Sequence, residues 1–391
     1  MLPPMSIPVS TKSFIRNVVT RTGGIYIHVP FCQKRCIYCD FYSTTYGLEW
    51  KRSYVSALRH EMLLRRSEID STRVPSLYIG GGTPSQLPSF LLLEMFQAIA
   101  ETFTLADNAE VTIEVNPDDV TPHLIDALRQ TPVNRISMGV QTFSDKLLRF
   151  LNRRHTSAQA LRAVQLFREA GYNNVSLDLI YGLPGQTFEE WTSDVRQLLA
   201  LEIPHISAYA LSYEEGTPLY KMLQEGNLTE VSEDLSWQMY EFLMDETVAA
   251  GFEHYEISNF ARPGMRARHN SSYWDGSPYL GLGPGAHSYD GNSIRRSNNT
   301  SLEGYVLATE DVPHQIEALS RQEQYNELVM TRLRTISGLS FSILTPDEKS
   351  YCLQMAEPYI RCGNLLKEGD NLRLSRKGIF ISNSIISDLM C

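Results

Sequence analysis

The order of apolar and amphipathic segments predicts an α/β barrel followed by a small winged-helix module. Short apolar runs alternate with longer amphipathic segments from residue 24 to about residue 211, which indicates βαβ units around a parallel sheet. From about residue 315 the pattern changes to helices with one short hairpin. We therefore expect a flexible tail at residues 1–23, a barrel with a C-terminal extension at residues 24–300, and the module at residues 315–391.

Six strands and five helices are predicted for the barrel. Each helix starts with a Pro, Ser or Thr signal or an acidic first turn, and Gly171 follows one of them. The strands are expected at residues 24–29, 76–80, 110–116, 134–139, 174–180 and 205–211. The helices are expected at residues 50–66, 88–103, 122–130, 157–170 and 187–201. Six such units favour a partial or complete barrel, like the TIM barrel, over an open sheet of four or five strands.

The pattern is less regular after the sixth strand. A helix near residues 236–250 precedes one strand in GFEHYEISNFA, and the Gly-, Pro- and aromatic-rich residues 262–289 are expected to form a loop. The C-terminal module is expected to contain helices near residues 322–333, 345–361 and 377–389. A hairpin at residues 365–369 and 372–375 completes the outline of a winged helix.

The composition is typical of an ordinary soluble globular protein. The chain has 391 residues, 42% of them hydrophobic, and a formal net charge of −10. No apolar run approaches the roughly 18 residues that a membrane span needs. The acidic balance argues against nucleic-acid binding by the whole surface, although a local basic patch near Lys367, Arg373, Arg376 and Lys377 leaves that function open.

The N-terminal tail and the scattered cysteines bear on the compartment. Residues 1–23 contain Lys12, Arg16 and Arg21 but no acidic residue, which fits either a flexible terminus or a transit peptide. Cys352, Cys362 and Cys391 form no paired framework, as expected in a reducing compartment. We expect a cytoplasmic protein, or a mitochondrial one if residues 1–23 are a transit peptide.

A cluster of three cysteines follows the first predicted strand. Cys32, Cys36 and Cys39 form a C-x3-C-x2-C array in GIYIHVPFCQKRCIYCDFYS. Three thiolates leave one coordination position of a metal site open, and open positions are typical of reactive centres. The spacing alone predicts an iron–sulfur cluster, a zinc site completed by a nearby His or Asp, or three unrelated thiols.

Other unusual residues also lie where predicted strands end. Gly80, Gly81 and Gly82 can bring the backbone close to a ligand, although a tight turn is the alternative. Glu114 and Asp178 lie on strands, where an inward carboxylate is costly unless it binds something. The alternative is a structural salt bridge with Arg153 or Arg135. In a parallel barrel all these strand ends share one rim, where active sites are built.

Several motifs together resemble the radical S-adenosylmethionine superfamily. They are C-x3-C-x2-C after YIHVPFC, GGGTPS, IEVNP, GVQTF, LNRRH and LDLIYGLPGQT, and an aromatic residue precedes the third cysteine. More narrowly, they resemble the branch that contains the oxygen-independent coproporphyrinogen III dehydrogenases and the HemW-like heme chaperones. The resemblance extends from about Tyr26 to the C-terminus, including the winged-helix module.

The resemblance implies a [4Fe–4S] cluster and S-adenosylmethionine as cofactors. Cys32, Cys36 and Cys39 match the cluster ligands, and the fourth iron would be bound by the amino and carboxylate groups of S-adenosylmethionine. The matching cofactor-binding residues are Tyr26, Tyr38, Gly81, Gly82, Thr83, Glu114, Gln141, Arg153 and Asp178. Reductive cleavage of S-adenosylmethionine would give methionine and a deoxyadenosyl radical. The resemblance does not decide whether this chain carries out that cleavage.

Two features separate the two branches. Phe41 stands where the coproporphyrinogen enzymes have a further cysteine, as in the heme chaperones, and HNSSYW at residues 269–274 matches the chaperones' H-N-x-x-Y-W motif. An exposed histidine beside aromatic residues could act as an axial heme ligand. The alternative is that His269 and Trp274 cap the barrel's open side and contact no heme. The heme candidates are His269, Tyr273, Trp274 and His287.

The resemblance therefore implies a heme chaperone that passes heme to an acceptor protein. The first rival is oxidative decarboxylation of coproporphyrinogen III, which we do not expect, and the second is a radical enzyme that modifies nucleic acid. The expected partners are heme, a heme-acceptor protein and an electron donor such as flavodoxin or ferredoxin. We expect no nucleic-acid partner, and membrane contact only transiently if the acceptor is there.

Overall fold

Six parallel strands alternate with helices in the first half of the chain. The structure, a computed structural model, describes residues 22–391, so residues 1–21 of the predicted tail lie outside it. The first twelve elements are β1 (Gly24–Val29), α1 (Leu48–Arg65), β2 (Val74–Gly81), α2 (Ser89–Thr102), β3 (Leu105–Val115), α3 (Pro122–Leu128), β4 (Arg135–Gln141), α4 (Asp145–Phe150), α5 (Ser157–Glu169), β5 (Val175–Tyr181), α6 (Phe188–Ala200) and β6 (His205–Ala210). All six predicted strands and five predicted helices are present, and the short α4 was not predicted.

The two faces of this sheet differ in chemistry. Successive side chains of a strand point to opposite faces. One face carries fully buried aliphatic side chains such as Ile27, Ile79 and Ile113, each stabilising the fold by about 1.5–3 kcal/mol. The other face carries polar residues, and the parallel register places Glu114 beside Ser137 and Gly139 beside Asp178. The polar face lines a cavity.

Ten further elements extend the barrel. They are α7 (Pro218–Gln224), α8 (Glu233–Ala249), β7 (Glu253–Glu256), β8 (Asn259–Ala261), α9 (Arg268–Trp274), β9 (Tyr279–Leu282), β10 (His287–Tyr289), β11 (Ile294–Asn298), α10 (Leu302–Val306) and β12 (His314–Ala318). The strand order is β12-β11-β10-β9-β1-β2-β3-β4-β5-β6-β8-β7. The barrel is therefore partial, because β1 pairs with β9 and β6 pairs with β8 instead of with each other.

Two predictions for this region are wrong. The run GFEHYEISNFA forms the antiparallel hairpin of β7 and β8 instead of one strand. Residues 262–289 are not a loop, because they contain α9, β9 and the start of an antiparallel extension. The glycines that suggested a loop are needed for close packing. A Cβ on Gly281 would lie 1.8 Å from the carbonyl oxygen of His287, and one on Gly283 would lie 2.5 Å from that of His28.

A network around Glu61 joins this extension to the barrel. Glu61 is fully buried on α1 and pairs with Arg65, with 2.8 Å between Oε1 and Nη1. Its carboxylate also accepts hydrogen bonds from the backbone N–H of Gly283 (2.8 Å), from Asn298 Nδ2 (2.7 Å) and from the hydroxyl of Tyr305 (2.7 Å). The turn after β9 is thus tied to a helix that packs outside the sheet.

The C-terminal module is a winged-helix-like unit with its own apolar core. Its elements are α11 (Arg321–Leu333), β13 (Leu339–Ser340), α12 (Pro346–Arg361), β14 (Leu365–Glu368), β15 (Asn371–Leu374), α13 (Arg376–Phe380) and α14 (Ser382–Leu389). Its sheet has the order β13-β15-β14. The single last helix predicted at residues 377–389 is wrong, because it is divided into α13 and α14. The domain boundaries predicted above remain a prediction.

The basic residues of this module are largely engaged within the protein. Arg373 pairs with Glu368 (2.5 Å) on the wing, and Arg376 pairs with Asp245 (2.6 Å) of α8. The ring of Phe380 also lies 4.7 Å from that of Trp237 on α8, which docks the module on the barrel. These pairs leave less basic charge for nucleic acid than the sequence suggested. Among residues 22–391, no helix combines the length and the apolar character that crossing a membrane requires.

Candidate functional site

The loop that carries the three cysteines begins directly after β1 and is held at both of its sides. Cys32 donates its backbone N–H to the carbonyl of Thr44 (2.8 Å), beside an isolated bridge between Phe31 and Thr44. On the other side, Ile37 donates its N–H to the carbonyl of Leu151 (3.2 Å) and accepts one from Leu219 (2.9 Å). The loop therefore lies across the rim formed by the carboxyl ends of the strands.

The three thiols face the same cavity and have polar neighbours. Cys32 Sγ lies 3.4 Å from the hydroxyl of Thr83, and Arg153 Nη1 donates to Cys36 Sγ at 3.5 Å. Burial raises the pKa of the Cys32 thiol, and it raises the pKa of Cys39 to about 11. Both are thus protonated at neutral pH in the metal-free chain, and a metal centre would have to displace these protons.

The arrangement of the cysteines bears on the kind of metal centre. Within residues 22–391, no three histidine, cysteine or acidic side chains converge on a position for a single metal ion. A zinc site would need its sulfurs about 2.3 Å from one point, whereas a [4Fe–4S] cluster carries its thiolates on separate irons. The three cysteines on one cavity fit the thiolates of a cluster with one iron left for another ligand.

A cavity of about 410 Å³ opens beside these cysteines, within the usual range for small-molecule sites. All but one of the residues predicted for the cluster and S-adenosylmethionine line it. They are Cys32, Cys36, Cys39, Tyr38, Gly81, Gly82, Thr83, Glu114, Gln141, Arg153 and Asp178. Tyr26 is the exception, because its hydroxyl bonds to His28 Nδ1 (3.0 Å) behind the cavity wall. The fold thus brings together residues that are up to 146 positions apart in the sequence, from Cys32 to Asp178.

Glu114 is held on the cavity wall by neutral donors. The hydroxyl of Tyr78 donates to its Oε1 (2.7 Å) and the N–H of Gly81 donates to its Oε2 (3.1 Å). Burial still raises the pKa of Glu114. Neither Glu114 nor Asp178 has a cationic partner within 4.0 Å in the described chain, so the salt-bridge alternative with Arg153 or Arg135 is absent. The site fits a ligand with hydroxyl or ammonium donors.

Arg153 is the main cationic group of the inner wall. Its Nη2 donates to the carbonyl of Gly139 (2.6 Å) and to Asn116 Oδ1 (2.8 Å). Its Nε is buried without a partner. Buried polar groups are normally hydrogen-bonded, so this orphaned donor fits an acceptor supplied by a ligand, such as a carboxylate.

The end of β4 has an unusual backbone that brings Gln141 into the cavity. Gln141 has φ +70°, in the left-handed region that costs a non-glycine residue about 1–3 kcal/mol, and the pairing with β5 shifts its register between Gly139 and Gln141. A Cβ on Gly139 would lie 2.7 Å from Gln141 Nε2. The bare Gly139 therefore makes room for the Gln141 amide at the cavity wall.

Asp178 provides a pH-dependent test of the ligand-free cavity. Burial, with the charge of Glu114 second, raises the pKa of Asp178 to about 7. Between its ordinary pKa near 3.8 and this value, the folded chain holds a proton that the unfolded chain releases, so Asp178 lowers stability as the pH rises through that window. We expect Asp178→Asn to flatten the fall in melting temperature between pH 5 and pH 7.5.

The control for this test is the exposed Asp126, whose side chain is 68% accessible. Asp126→Asn should leave the pH dependence of the melting temperature as it is in the wild type. An Asp178→Asn protein with the wild-type slope would show that the buried carboxyl does not titrate in this range.

The heme candidates lie outside the cavity wall. The exposure predicted for His269 is wrong, because the residue is fully buried. Its Nδ1 is hydrogen-bonded to Ser76 Oγ and its Nε2 to the hydroxyl of Tyr273, both at 2.9 Å. Burial lowers its pKa to about 3. Ligation of iron by His269 would therefore require two buried hydrogen bonds to be broken.

The HNSSYW motif closes the amino-terminal end of the barrel. The N–H of His269 donates to Glu110 Oε1 (2.8 Å), and its ring stacks on Tyr78 at 5.3 Å. Ser76 lies early on β2, and a Cβ on Gly24, the first residue of β1, would lie 3.0 Å from His269 Nδ1, so α9 is opposite the cysteine rim. Trp274 contacts the C-terminal module, with the guanidinium of Arg334 5.6 Å from its ring centre. His287, by contrast, is exposed at the start of β10.

Sequence reasoning missed several residues that line this cavity, and three of them bear on the site. The hydroxyl of Tyr78 donates to Glu114, Ser137 is the strand neighbour of Glu114, and Asn270 lines the cavity from α9. Strand alternation could have revealed Tyr78, because it shares a face with Gly80. Asn270 gave no such signal, because its place in the barrel depends on the packing of α9.

The comparisons with known proteins agree with this geometry. Residues 26–198 match the family model for the radical SAM superfamily, and residues 319–381 match that for the HemN C-terminal domain. The chain is similar to a solved structure of coproporphyrinogen III oxidase (HemN) from Escherichia coli, with a TM-score of 0.80 over 95% of this chain and 90% of that one. At 23% identity this likeness shows the fold alone.

Curated relatives cover nearly the whole chain. The protein named heme chaperone HemW from Lactococcus lactis is 36% identical over 95% of this chain and 98% of its own. The protein of the same name from Mycobacterium tuberculosis is 35% identical over 94% of both chains. A mouse relative, named radical S-adenosyl methionine domain-containing protein 1, mitochondrial, is 33% identical over 94% of this chain and 87% of its own. The chain therefore belongs to the HemW-like family of the radical SAM superfamily.

Proposed function

We propose that this protein is a heme chaperone, which binds heme together with a [4Fe–4S] cluster and S-adenosylmethionine and delivers the heme to acceptor proteins. The observation that carries the proposal is the similarity, over almost the full length of both chains, to proteins named heme chaperone HemW. Phe41 also supports the chaperone function, because this exposed residue lies on the rim where the coproporphyrinogen enzymes have a further cysteine.

The cavity supports binding of the two implied cofactors. Cys32, Cys36 and Cys39 would hold the cluster, and Arg153 would bind the carboxylate of S-adenosylmethionine through its unpartnered Nε. Glu114 would accept hydrogen bonds from the ribose hydroxyls, a role that satisfies a carboxylate otherwise without a cationic partner. The pair of cofactors supplies one-electron reductive chemistry when bound. An electron donor such as flavodoxin or ferredoxin would be required for turnover.

The other proposed cofactor contacts follow from position on the cavity wall. Gly81 and Gly82 expose backbone groups beside Thr83, which suits the methionine ammonium group. Tyr38, Gln141 and Asp178 line the remaining wall. Tyr26 would contribute only through His28, since its hydroxyl is engaged there.

The rival function is oxidative decarboxylation of coproporphyrinogen III. The similarity in fold to HemN does not favour it, because that similarity is shown at 23% identity. The two functions differ in what happens to the bound tetrapyrrole. A chaperone binds the finished heme and releases it unchanged, whereas the enzyme consumes a porphyrinogen.

A paired anaerobic experiment separates the two functions. Full-length protein, reconstituted with iron and sulfide, is loaded with hemin and mixed with an apo-protein that needs heme, and transfer is followed by the acceptor's Soret band. We expect transfer that is faster than from free hemin and no conversion of coproporphyrinogen III in the presence of S-adenosylmethionine and a reductant. Conversion to protoporphyrinogen IX without heme transfer would overturn the proposal.

The place of action is also a proposal. We propose a cytoplasmic protein, with membrane contact only while an acceptor there receives heme. A mitochondrial location is the alternative, since the mouse relative carries that word in its name. Fractionation of cells that produce the full chain would distinguish the two.

A further inference from the structure

The histidines of this chain differ sharply in accessibility. All nine lie within the described residues. Most are buried or hydrogen-bonded, as His269 is. Two are exposed without a hydrogen bond to the ring in the described chain, His123 on α3 and His287 on β10. An imidazole that binds iron needs a free ring nitrogen, so these two are the accessible candidates.

The connections of β9 place His287 at the cysteine end of the barrel. β9 pairs in parallel with β1, with Ile25 opposite Leu280 and Ile27 opposite Leu282. The carboxyl ends of both strands therefore meet at one rim. β10 returns antiparallel after a short turn and pairs Tyr289 with Tyr279, so His287 lies opposite Gly281, near the carboxyl end of β9.

The side chain of His287 points to the inner side of the extended sheet. Its neighbour Ser288 accepts a hydrogen bond from Arg65 Nη2 (2.9 Å), and Arg65 belongs to α1 on the outer side. Successive residues of a strand point to opposite faces. His287 and Tyr289 therefore face the side onto which the barrel opens.

Contacts through Tyr42 join His287 to the cysteine loop. A Cβ on Gly285, in the turn before β10, would lie 3.7 Å from the Tyr42 ring, so the turn packs on this residue. His28 Nε2 is hydrogen-bonded to the carbonyl of Tyr42 (2.8 Å). His28 also lies near enough to His287 for a charge on His287 to lower the pKa of His28. The preceding residue, Phe41, is 63% exposed and lines the cavity.

The charge of this rim suits an anionic planar ligand. Lys34 and Arg35 line the cavity mouth, are exposed, have no ion pair in residues 22–391, and outnumber the one exposed acidic residue there, Asp40. The whole chain carries a net charge of −10, so unpaired neighbouring cations at one opening stand out. Heme combines an apolar ring with two carboxylates. Partial burial and the nearby Arg295 also lower the pKa of His287, which favours the neutral imidazole, the form that binds metal.

We infer that heme binds on this rim between Phe41 and His287, with His287 as an axial ligand, Phe41 against the porphyrin face, and Lys34 and Arg35 near the propionates. The inference rests on the proposed function and assigns its heme site. It places heme beside the cluster loop and leaves the HNSSYW motif to close the opposite end of the barrel. No bond is made or broken in the porphyrin.

The test is a hemin titration of the full-length, anaerobically reconstituted protein, followed by difference absorption in the Soret region and by electron paramagnetic resonance. We expect His287→Ala to weaken hemin binding at least tenfold and to change the ligand signature of the iron. Added imidazole should restore that signature. Because His287 is exposed, the melting temperature should stay at the wild-type value.

Matched variants complete the design. His123→Ala removes the other accessible histidine and should leave affinity and spectrum unchanged. Phe41→Ala should weaken binding but keep the ligand signature, and Lys34→Gln with Arg35→Gln should weaken binding most at low salt. His269→Ala should lower the melting temperature while the signature persists.

The outcomes separate this inference from the proposed function. If the wild type binds hemin and His287→Ala binds it with the same affinity and spectrum, the assigned site is wrong and the chaperone function stands. Loss of the signature in His269→Ala or His123→Ala, but not in His287→Ala, also overturns the site. If the wild type does not bind hemin, the proposed function itself fails.

Discussion

Replacing Cys32, Cys36 or Cys39 by Ser is expected to remove the iron–sulfur absorbance of the anaerobically reconstituted protein completely. A cluster held by three thiolates loses one of its three protein ligands with each substitution, and a serine hydroxyl is a poor replacement for a soft thiolate. The measurements are iron and sulfide content and the visible spectrum. We expect each variant to retain less than about a tenth of the wild-type iron, on the ground that ligand thiolates supply the binding energy.

The same chain contains suitable control cysteines. Cys362 and Cys391 are exposed and remote from the rim in sequence, so serine at either position should leave iron content at the wild-type level. Zinc in place of iron in the anaerobically purified wild type would contradict the cluster assignment. Equal iron loss in the control variants would show that the effect is not specific to the rim.

The barrel strands could be predicted because their sequence pattern has a physical cause. Strands such as β3 alternate aliphatic residues, which pack under helices, with polar residues, which face the cavity. From the sequence alone, that alternation predicts that the carboxylate of Glu114 points into the barrel. The parallel order of the strands then brought the strand-end residues to one rim, as observed.

The surroundings of α9 could not be predicted in the same way. His269 looked accessible because aromatic and polar residues surround it in sequence, yet Ser76, Tyr78 and Glu110 enclose it from strands more than 150 positions away. Long-range packing of this kind leaves no periodic signal in the segment itself. The short strands β9 and β10 were missed for a related reason, since their glycines are required by close backbone contacts and resemble loop glycines.

The proposed heme site also depends on contacts that the sequence does not reveal. His287 and Phe41 are 246 positions apart in the numbering, and the turn before His287 packs on Tyr42, the neighbour of Phe41. The same turn is held from the outer side by Glu61. The position of His287 therefore depends on a buried carboxylate that never contacts the cavity.

Glu61→Ala is expected to lower the free energy of unfolding by about 3–5 kcal/mol, the usual cost of removing one partner from a buried ion pair. Arg65, which is only 2% exposed, would lose its buried partner but keep its pair with Glu68. The carboxylate is also the shared acceptor of three hydrogen bonds, which would be lost from Gly283, Asn298 and Tyr305. Urea denaturation of the cofactor-free protein measures the effect. Glu101→Ala, which breaks the exposed pair with Arg59, should cost only about 0–1 kcal/mol.

The milder variant Glu61→Gln tests the link between this network and the rim. Its amide keeps the shape of the side chain but places a donor among groups that are themselves donors, so one bond to Gly283, Asn298 or Tyr305 must be lost. We expect a smaller loss of stability than with alanine and weaker hemin binding, because the turn before His287 is no longer held. Wild-type hemin affinity together with a large loss of stability would show that Glu61 supports the fold without positioning His287.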